Sequence, residues 1–307
     1  MTQIDELLDF LRESVTPFHA VRGMCKRLEQ AGFKSVERFD PSAMVPGRGY
    51  FMTKQGSSLV ALRAGAQELG RGLRLVGAHT DSPNLSVKPN PVTGRDGCVQ
   101  LGVDIYGGAL LNPWFDRDLA LAGRLTVLTA EGELRSVLFD SVSPVAVVPS
   151  LAIHLDREAN KQRSINPQKD VVPLVMLGDA KGFDFKSWLA EKLAEQDKTC
   201  VGARVMDYEL SLYDTQPPAL VGIDQSLITS ARLDNLLSCY AGLRAIIDEQ
   251  EAEWSMLVAT DHEEVGSAST IGAQGPMLMD ALTALAPDPL LNQQVRAESW
   301  MLSVDNA

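Results

Sequence analysis

The chain has 307 residues, with 28 Lys plus Arg against 40 Asp plus Glu and a formal net charge of −12. That balance argues against a nucleic-acid partner or an anionic membrane surface, both of which attract basic faces. A hydrophobic content of 45% with 22% charged residues excludes wholesale disorder, and at about 150 residues per domain the length predicts two domains, or one carrying an insertion. Four cysteines (Cys25, Cys98, Cys200, Cys239) are scattered with no CxxC pair, which points to a reducing compartment and excludes a thiolate zinc knuckle. The first residues carry acid where an export signal needs base. The longest apolar stretch, residues 145–153, is interrupted by Pro149 and is too short to span a bilayer. The expectation is a cytoplasmic protein with no membrane partner.

Along the chain, Ile4, Leu7, Leu8 and Leu11 recur at helical spacing until Pro17, and a second amphipathic helix is predicted over residues 17–31, stopping at Gly32. Residues 73–79 read as a short buried strand that breaks into Thr80-Asp81-Ser82-Pro83. The Pro- and Gly-rich stretch that follows (Pro83, Pro89, Pro91, Gly94, Gly97) reads as a crossing between domains. Short alternating runs at 124–129 and 133–139 predict antiparallel strands around a Glu131-Gly132 turn, and residues 182–196 predict one helix. After Pro217-Pro218 and Gly222 the α/β texture returns: a strong helix over 236–247, a buried strand at 256–259 and another at 300–304. The expected fold class is α/β, a central mostly parallel or mixed sheet flanked by helices. Residues 1–91 and 226–307 would form it, interrupted by a β-rich insertion at 92–225.

Several motifs are excluded first. There is no phosphate-cradling Gly loop ending in Lys-Ser/Thr, no GxSxG elbow and no strand-linked dinucleotide fingerprint. His262-Glu263-Glu264-Val265-Gly266 begins like the helical zinc motif HExxH but has Gly266 where the second ligand belongs. What remains is a set of acids and one histidine at the ends of apolar runs, where open α/β sheets gather their ligands. His79 could bind a metal through one ring nitrogen with Asp81 on the other; the plainer alternative is that Asp81 caps a turn before Pro83. Glu263 and Glu264 leave a strand side by side, so one could bind metal while the other handles a proton; a solvated acidic loop is the plain alternative. Asp234 or Asn235 could simply cap the strong helix, and Asp305 could serve a turn. His154 among aliphatics and His19 in the second helix read as structural, and the Trp114–Asp118 run as ion-paired packing. Together, though, these termini present the ligand types that a two-metal hydrolytic site uses.

Taken in order, six strings resemble one family, the aspartyl aminopeptidases, with bacterial members the nearer in style. They are Gly77-Ala78-His79-Thr80-Asp81-Ser82-Pro83, Trp114-Phe115-Asp116-Arg117-Asp118-Leu119, Leu151-Ala152-Ile153-His154-Leu155, Asp214-Thr215-Gln216-Pro217, Arg232-Leu233-Asp234-Asn235-Leu236 and Asp261-His262-Glu263-Glu264-Val265-Gly266-Ser267. The resemblance spans essentially the whole chain. It implies a metalloaminopeptidase with two zinc ions and peptide substrates. His79 and Asp305 would bind the first metal, Asp234 would bridge both and Glu264 would bind the second. Asp81 would steer His79, and Glu263 would be the general base acting on a metal-bridged water. His154 would reach the active site of a neighbouring subunit, making the insertion an oligomerisation domain.

The family pattern continues past Asp305-Asn306-Ala307 with a His-rich segment that supplies the last ligand of the second metal. The resemblance therefore implies a second site short of one imidazole, for which His154 is the substitute available by motif. Two further readings stay open: a catalytically incomplete member with a structural or assembly role, and a two-metal aminopeptidase with a different residue preference.

Overall fold

The structure, a computed structural model, describes residues 2–249 and 253–306. The chain divides into two compact units, one made of residues 1–82 and 218–307 and the other of residues 83–217. In chain order the first unit opens with α1 (Gln3–Glu13), α2 (Pro17–Gln30), β1 (Lys34–Ser35), β2 (Gly49–Lys54), β3 (Ser58–Arg63) and β4 (Leu73–His79). The second unit holds β5 (Asn84–Arg95), β6 (Cys98–Tyr106), β7 (Leu119–Leu128), β8 (Leu134–Asp140), α3 (Ala159–Gln162), β9 (Leu174–Leu177), α4 (Phe185–Gln196) and β10 (Arg204–Asp214). The first then resumes with β11 (Ala219–Val221), β12 (Leu227–Thr229), α5 (Leu233–Asp248), β13 (Trp254–Thr260), α6 (Met277–Leu285), α7 (Pro289–Glu298) and β14 (Trp300–Ser303).

The first unit is built on a mixed sheet of order β1-β2-β3-β13-β4-β14, in which β4 runs parallel to both β13 and β14 while β3 is antiparallel to β13. Side chains alternate across its faces with the period of two that a strand imposes. Leu59, Ala61, Leu257 and Ala259 pack under α1, α2 and α5, whereas Val60, Leu62, Met256 and Val258 pack against the α6 and α7 side. Both faces are therefore covered, which is why the central strands read as unbroken apolar runs. Helix starts follow local chemistry. Thr2 and Asp5 form a reciprocal capping box on α1, and Pro17 opens α2, whose end falls before Gly32 at φ +82°.

The second unit is a six-stranded sheet of order β8-β7-β10-β5-β6-β9, antiparallel throughout, with α4 packed on it through Phe185, Leu189 and Leu193. Its limits, Pro83 and Pro217, lie earlier in the chain than the expected 92 and 225. The Pro- and Gly-rich stretch begins at the boundary itself, with Pro83, and continues as the long strand β5, in which Pro89 and Pro91 occupy the irregularity between Val87 and Val92 where the ladder with β6 is interrupted. A proline there removes no ladder hydrogen bond.

His19, expected to be structural, is 2% exposed in α2 with Nδ1 2.8 Å from the Thr16 hydroxyl. Burial, then the charges of Arg22 and Arg232, push its pKa down from 6.5 to about 3. The ring is thus neutral in the folded chain and protonated in the unfolded one at moderately acid pH. Its contribution is complete above pH 6.5 and is lost as the pH falls from there towards 3, at about 1.4 kcal/mol per pH unit. Urea midpoints at pH 7 and pH 5 should show the parent chain losing roughly 1–2 kcal/mol more than His19→Gln. Parallel pH dependence in the two proteins would remove His19 as the source.

Candidate metal centre

The ends of the parallel neighbours β4 and β13 lie side by side, with His79 in register with Thr260, and the Thr80 N–H continues the pairing to the Thr260 carbonyl at 2.8 Å. Both segments then leave the sheet. His79 is 4% exposed and its carbonyl accepts from the buried Cys239 thiol of α5 at 3.0 Å. Asp81, fully buried, lies with Oδ1 3.3 Å from His79 Nδ1, and its backbone carbonyl is 3.0 Å from the same nitrogen. The Asp81 carboxylate also accepts the backbone N–H of Glu263 at 3.2 Å and of Glu264 at 3.1 Å. One buried carboxylate thus orients the imidazole and anchors the single 3-10 turn, Glu263–Val265, that carries both glutamates. This is a larger role than a turn cap before Pro83.

Nε2, the other ring nitrogen of His79, faces three acids: Asp234 Oδ1 at 3.3 Å, Asp305 Oδ1 at 3.3 Å and Glu263 Oε2 at 3.7 Å. Asp234 and Asn235 lie in the first turn of α5 with non-helical dihedrals, and the Asp234 carbonyl accepts from Ser82 Oγ at 2.6 Å. Just before them Arg232 sits in the left-handed region at φ +62°, a conformation costly for a non-glycine residue. Its guanidinium donates to the Ser14 and Leu11 carbonyls at the end of α1, at 3.0 and 3.4 Å, which fastens the loop to the helix. His262 is left-handed as well, at φ +66°, with Nδ1 2.8 Å from Ser269 Oγ.

These donors suit a divalent cation. His79, Asp234 and Asp305 each offer a ligand atom within 4.8 Å of the others. Asp234 Oδ1 is buried and makes no well-formed hydrogen bond, which a buried carboxylate oxygen rarely tolerates without a cation. Burial and then the charge of Asp305 push the Asp234 pKa up. Burial alone would lower His79, but the hydrogen bond and charge of Asp81, with Glu263 and Asp305, carry it up to about 9. Without a cation the site takes a proton to balance its acids; one imidazole and several carboxylates are the set that zinc accepts.

Of the expected residues, the structure brings together His79, Asp81, Asp234, Glu263 and Asp305, with Glu264 joined through its backbone N–H. His154 is not in this cluster; it lies in the other unit, in an exposed turn. Reasoning from the sequence gave no role to Ser82 or Arg232 and gave Asn235 only that of a possible helix cap, although all three stand inside the quoted motifs.

A helix-covered mixed sheet with a His–carboxylate cluster at the carboxyl ends of its strands is an arrangement that metal-dependent hydrolytic enzymes of the α/β class use. The model of the aminopeptidase I zinc metalloproteases, peptidase family M18, matches residues 10–307, and the chain belongs to that family. It is 49% identical over 304 residues to a "Probable M18 family aminopeptidase 2" of Pseudomonas putida, covering 98% of this chain and 70% of the relative. Among solved structures it resembles Ape4 in its complex with Nbr1, with a TM-score of 0.91 and 32% identity, covering 99% of this chain and 63% of that one. It also resembles the mApe1 dodecamer of S. cerevisiae, with a TM-score of 0.83 and 26% identity over 99% of this chain and 71% of that one. The motif-based resemblance is thereby borne out at the level of the family.

Proposed function

We propose that the chain is a zinc-dependent aminopeptidase that releases the N-terminal residue of peptides, with Asp or Glu preferred. The observation that carries this is the convergence of His79, Asp234 and Asp305 beside the half-exposed carboxylate of Glu263. His79, Asp234, Glu264 and Asp305 would hold the metal, with Asp81 fixing the ring of His79. When bound, zinc polarises the scissile carbonyl and brings the pKa of water towards about 7. Glu263 accepts a proton from the attacking water and returns it to the leaving amine. The surrounding acids favour a free α-ammonium at the substrate's first residue. The acidic preference rests on the likeness of the quoted motifs to aspartyl aminopeptidases.

The second unit is the assembly domain in this reading. Leu151, Ile153 and Leu155, on either side of His154, are each more than half exposed, an apolar run that another subunit would cover as it offers His154 to a neighbouring site. The dodecamer named for mApe1 supports self-association. Four free cysteines accord with a cytoplasmic setting.

The test is release of the first residue from peptides that begin with Asp, Glu, Leu or Lys, with added zinc and with chelator. Chelator-sensitive release, fastest from Asp or Glu, is expected. Faster release from Leu or Lys would replace the residue preference alone, and chelator-insensitive release would overturn the metal mechanism. Absence of release from every peptide would leave an assembly role as the better reading.

A further inference from the structure

We propose that Asn235 is a positioning residue: its side-chain amide ties the loop bearing Asp234 to the segment bearing Asp305, and so sets the spacing of the two carboxylates about His79. The inference rests on the metal reading above. β14 pairs with β4 only as far as Ser303 opposite Gly77. Beyond that point the chain leaves the sheet, and Asp305 projects a side chain that is 63% exposed yet still 3.3 Å from His79 Nε2. What places it is its neighbour. The Val304 N–H donates to the Gly77 carbonyl at 2.8 Å, and the Val304 carbonyl accepts from Asn235 Nδ2 at 2.8 Å. Val304 is thus gripped from the sheet on one side and from the Asp234 loop on the other.

Asn235 is suited to such a tie and to little else. It is fully buried and directly follows Asp234, whose carbonyl is itself held by Ser82. Its Oδ1 is buried without a hydrogen-bond partner. A buried amide with half of its polar atoms unpaired is a poor choice for stability, and leucine would fill nearly the same volume without that penalty. The amide therefore serves its one bond, from the residue after one ligand to the residue before another. Groups that orient metal ligands from behind typically govern affinity by 10–100-fold.

Asn235→Leu removes the donor and the unpaired oxygen together, and Asn235→Asp keeps the shape while removing the donor. Zinc affinity of the whole chain, measured by competition with a chromophoric chelator, should fall roughly 10–100-fold in both. The metal-free thermal midpoint of Asn235→Leu should hold or rise, which a merely structural asparagine would not allow. If Asn235 acts through Asp305, the loss should largely vanish in an Asp305→Ala background, because coupled sites are not additive. Affinity within about twofold of the parent in a folded variant overturns the proposal, and so does full additivity with Asp305→Ala. Failure of both variants to fold would assign Asn235 to the fold instead. A parent chain that binds no zinc would overturn the metal reading and this one with it. Weakened binding in Asp305→Ala alone would overturn only the role of Asn235.

Discussion

Glu263→Gln should lower kcat roughly 10²–10⁴-fold while leaving zinc content and assembly state unchanged, the range expected when a general base is removed from an otherwise intact site. In free energy that is about 3–5 kcal/mol of transition-state stabilisation. The substitution isolates proton transfer because the position is held by its backbone: the Glu263 N–H donates to Asp81 at 3.2 Å, and that bond survives an amide side chain. The carboxylate is 47% exposed and 3.7 Å from His79 Nε2, farther than the two aspartates, so it is open to solvent and substrate and dispensable as a ligand. Peptide turnover and bound zinc should be measured on the same preparation. Unchanged turnover would eliminate Glu263 as the base, and loss of zinc would make it a ligand.

His79→Ala should abolish stable zinc binding, with affinity down at least about 10²-fold, the effect expected for losing a ligand rather than its supporting shell. His79 is the single nitrogen donor in the cluster found among the described residues. Its removal leaves Asp81, Asp234, Glu263 and Asp305 facing one another without the imidazole between them. The variant should therefore also lose stability through carboxylate repulsion and an unfilled buried space, typically by a few kcal/mol. Zinc bound after dialysis, counted against folded protein by circular dichroism, checks the first effect. Full retention of metal would remove His79 from the ligand set.

What could be read in the sequence was the chemistry that sits at element ends. Residues 256–259 announce a central strand because every position is apolar, and residues 73–79 do so with Arg74 as the one exposed position before the strand ends at His79; the acids just beyond them follow as candidates. The family resemblance joined Asp234 and Asp305 to His79 across long separations that no local pattern could bridge. Less legible was anything that works through the backbone. Asp81 looks like a turn former, and its grip on the N–H groups of Glu263 and Glu264 depends on two strand exits meeting in space. Arg232 was hidden in the same way and Asn235 showed only as a possible helix cap, since their partners are carbonyls of Leu11, Ser14 and Val304, and a carbonyl has no letter in a sequence. The second unit begins at the first proline of the expected crossing rather than beyond it, and only the ladder of β5 shows that Pro89 and Pro91 fall where it is already interrupted.

The order of strands in the first sheet has a consequence for biosynthesis. β4, which carries His79, is flanked by β13 and β14, and both are encoded downstream of the entire inserted unit. While a ribosome translates residues 83–217, the inserted unit gains all of its own partners, but β4 has neither of its neighbours and its backbone edges stay unpaired. A nascent strand in that state invites mispairing with other chains. His79 can meet Asp234 and Asp305 only after residue 305 has emerged, so the cluster cannot assemble while the inserted unit is being made.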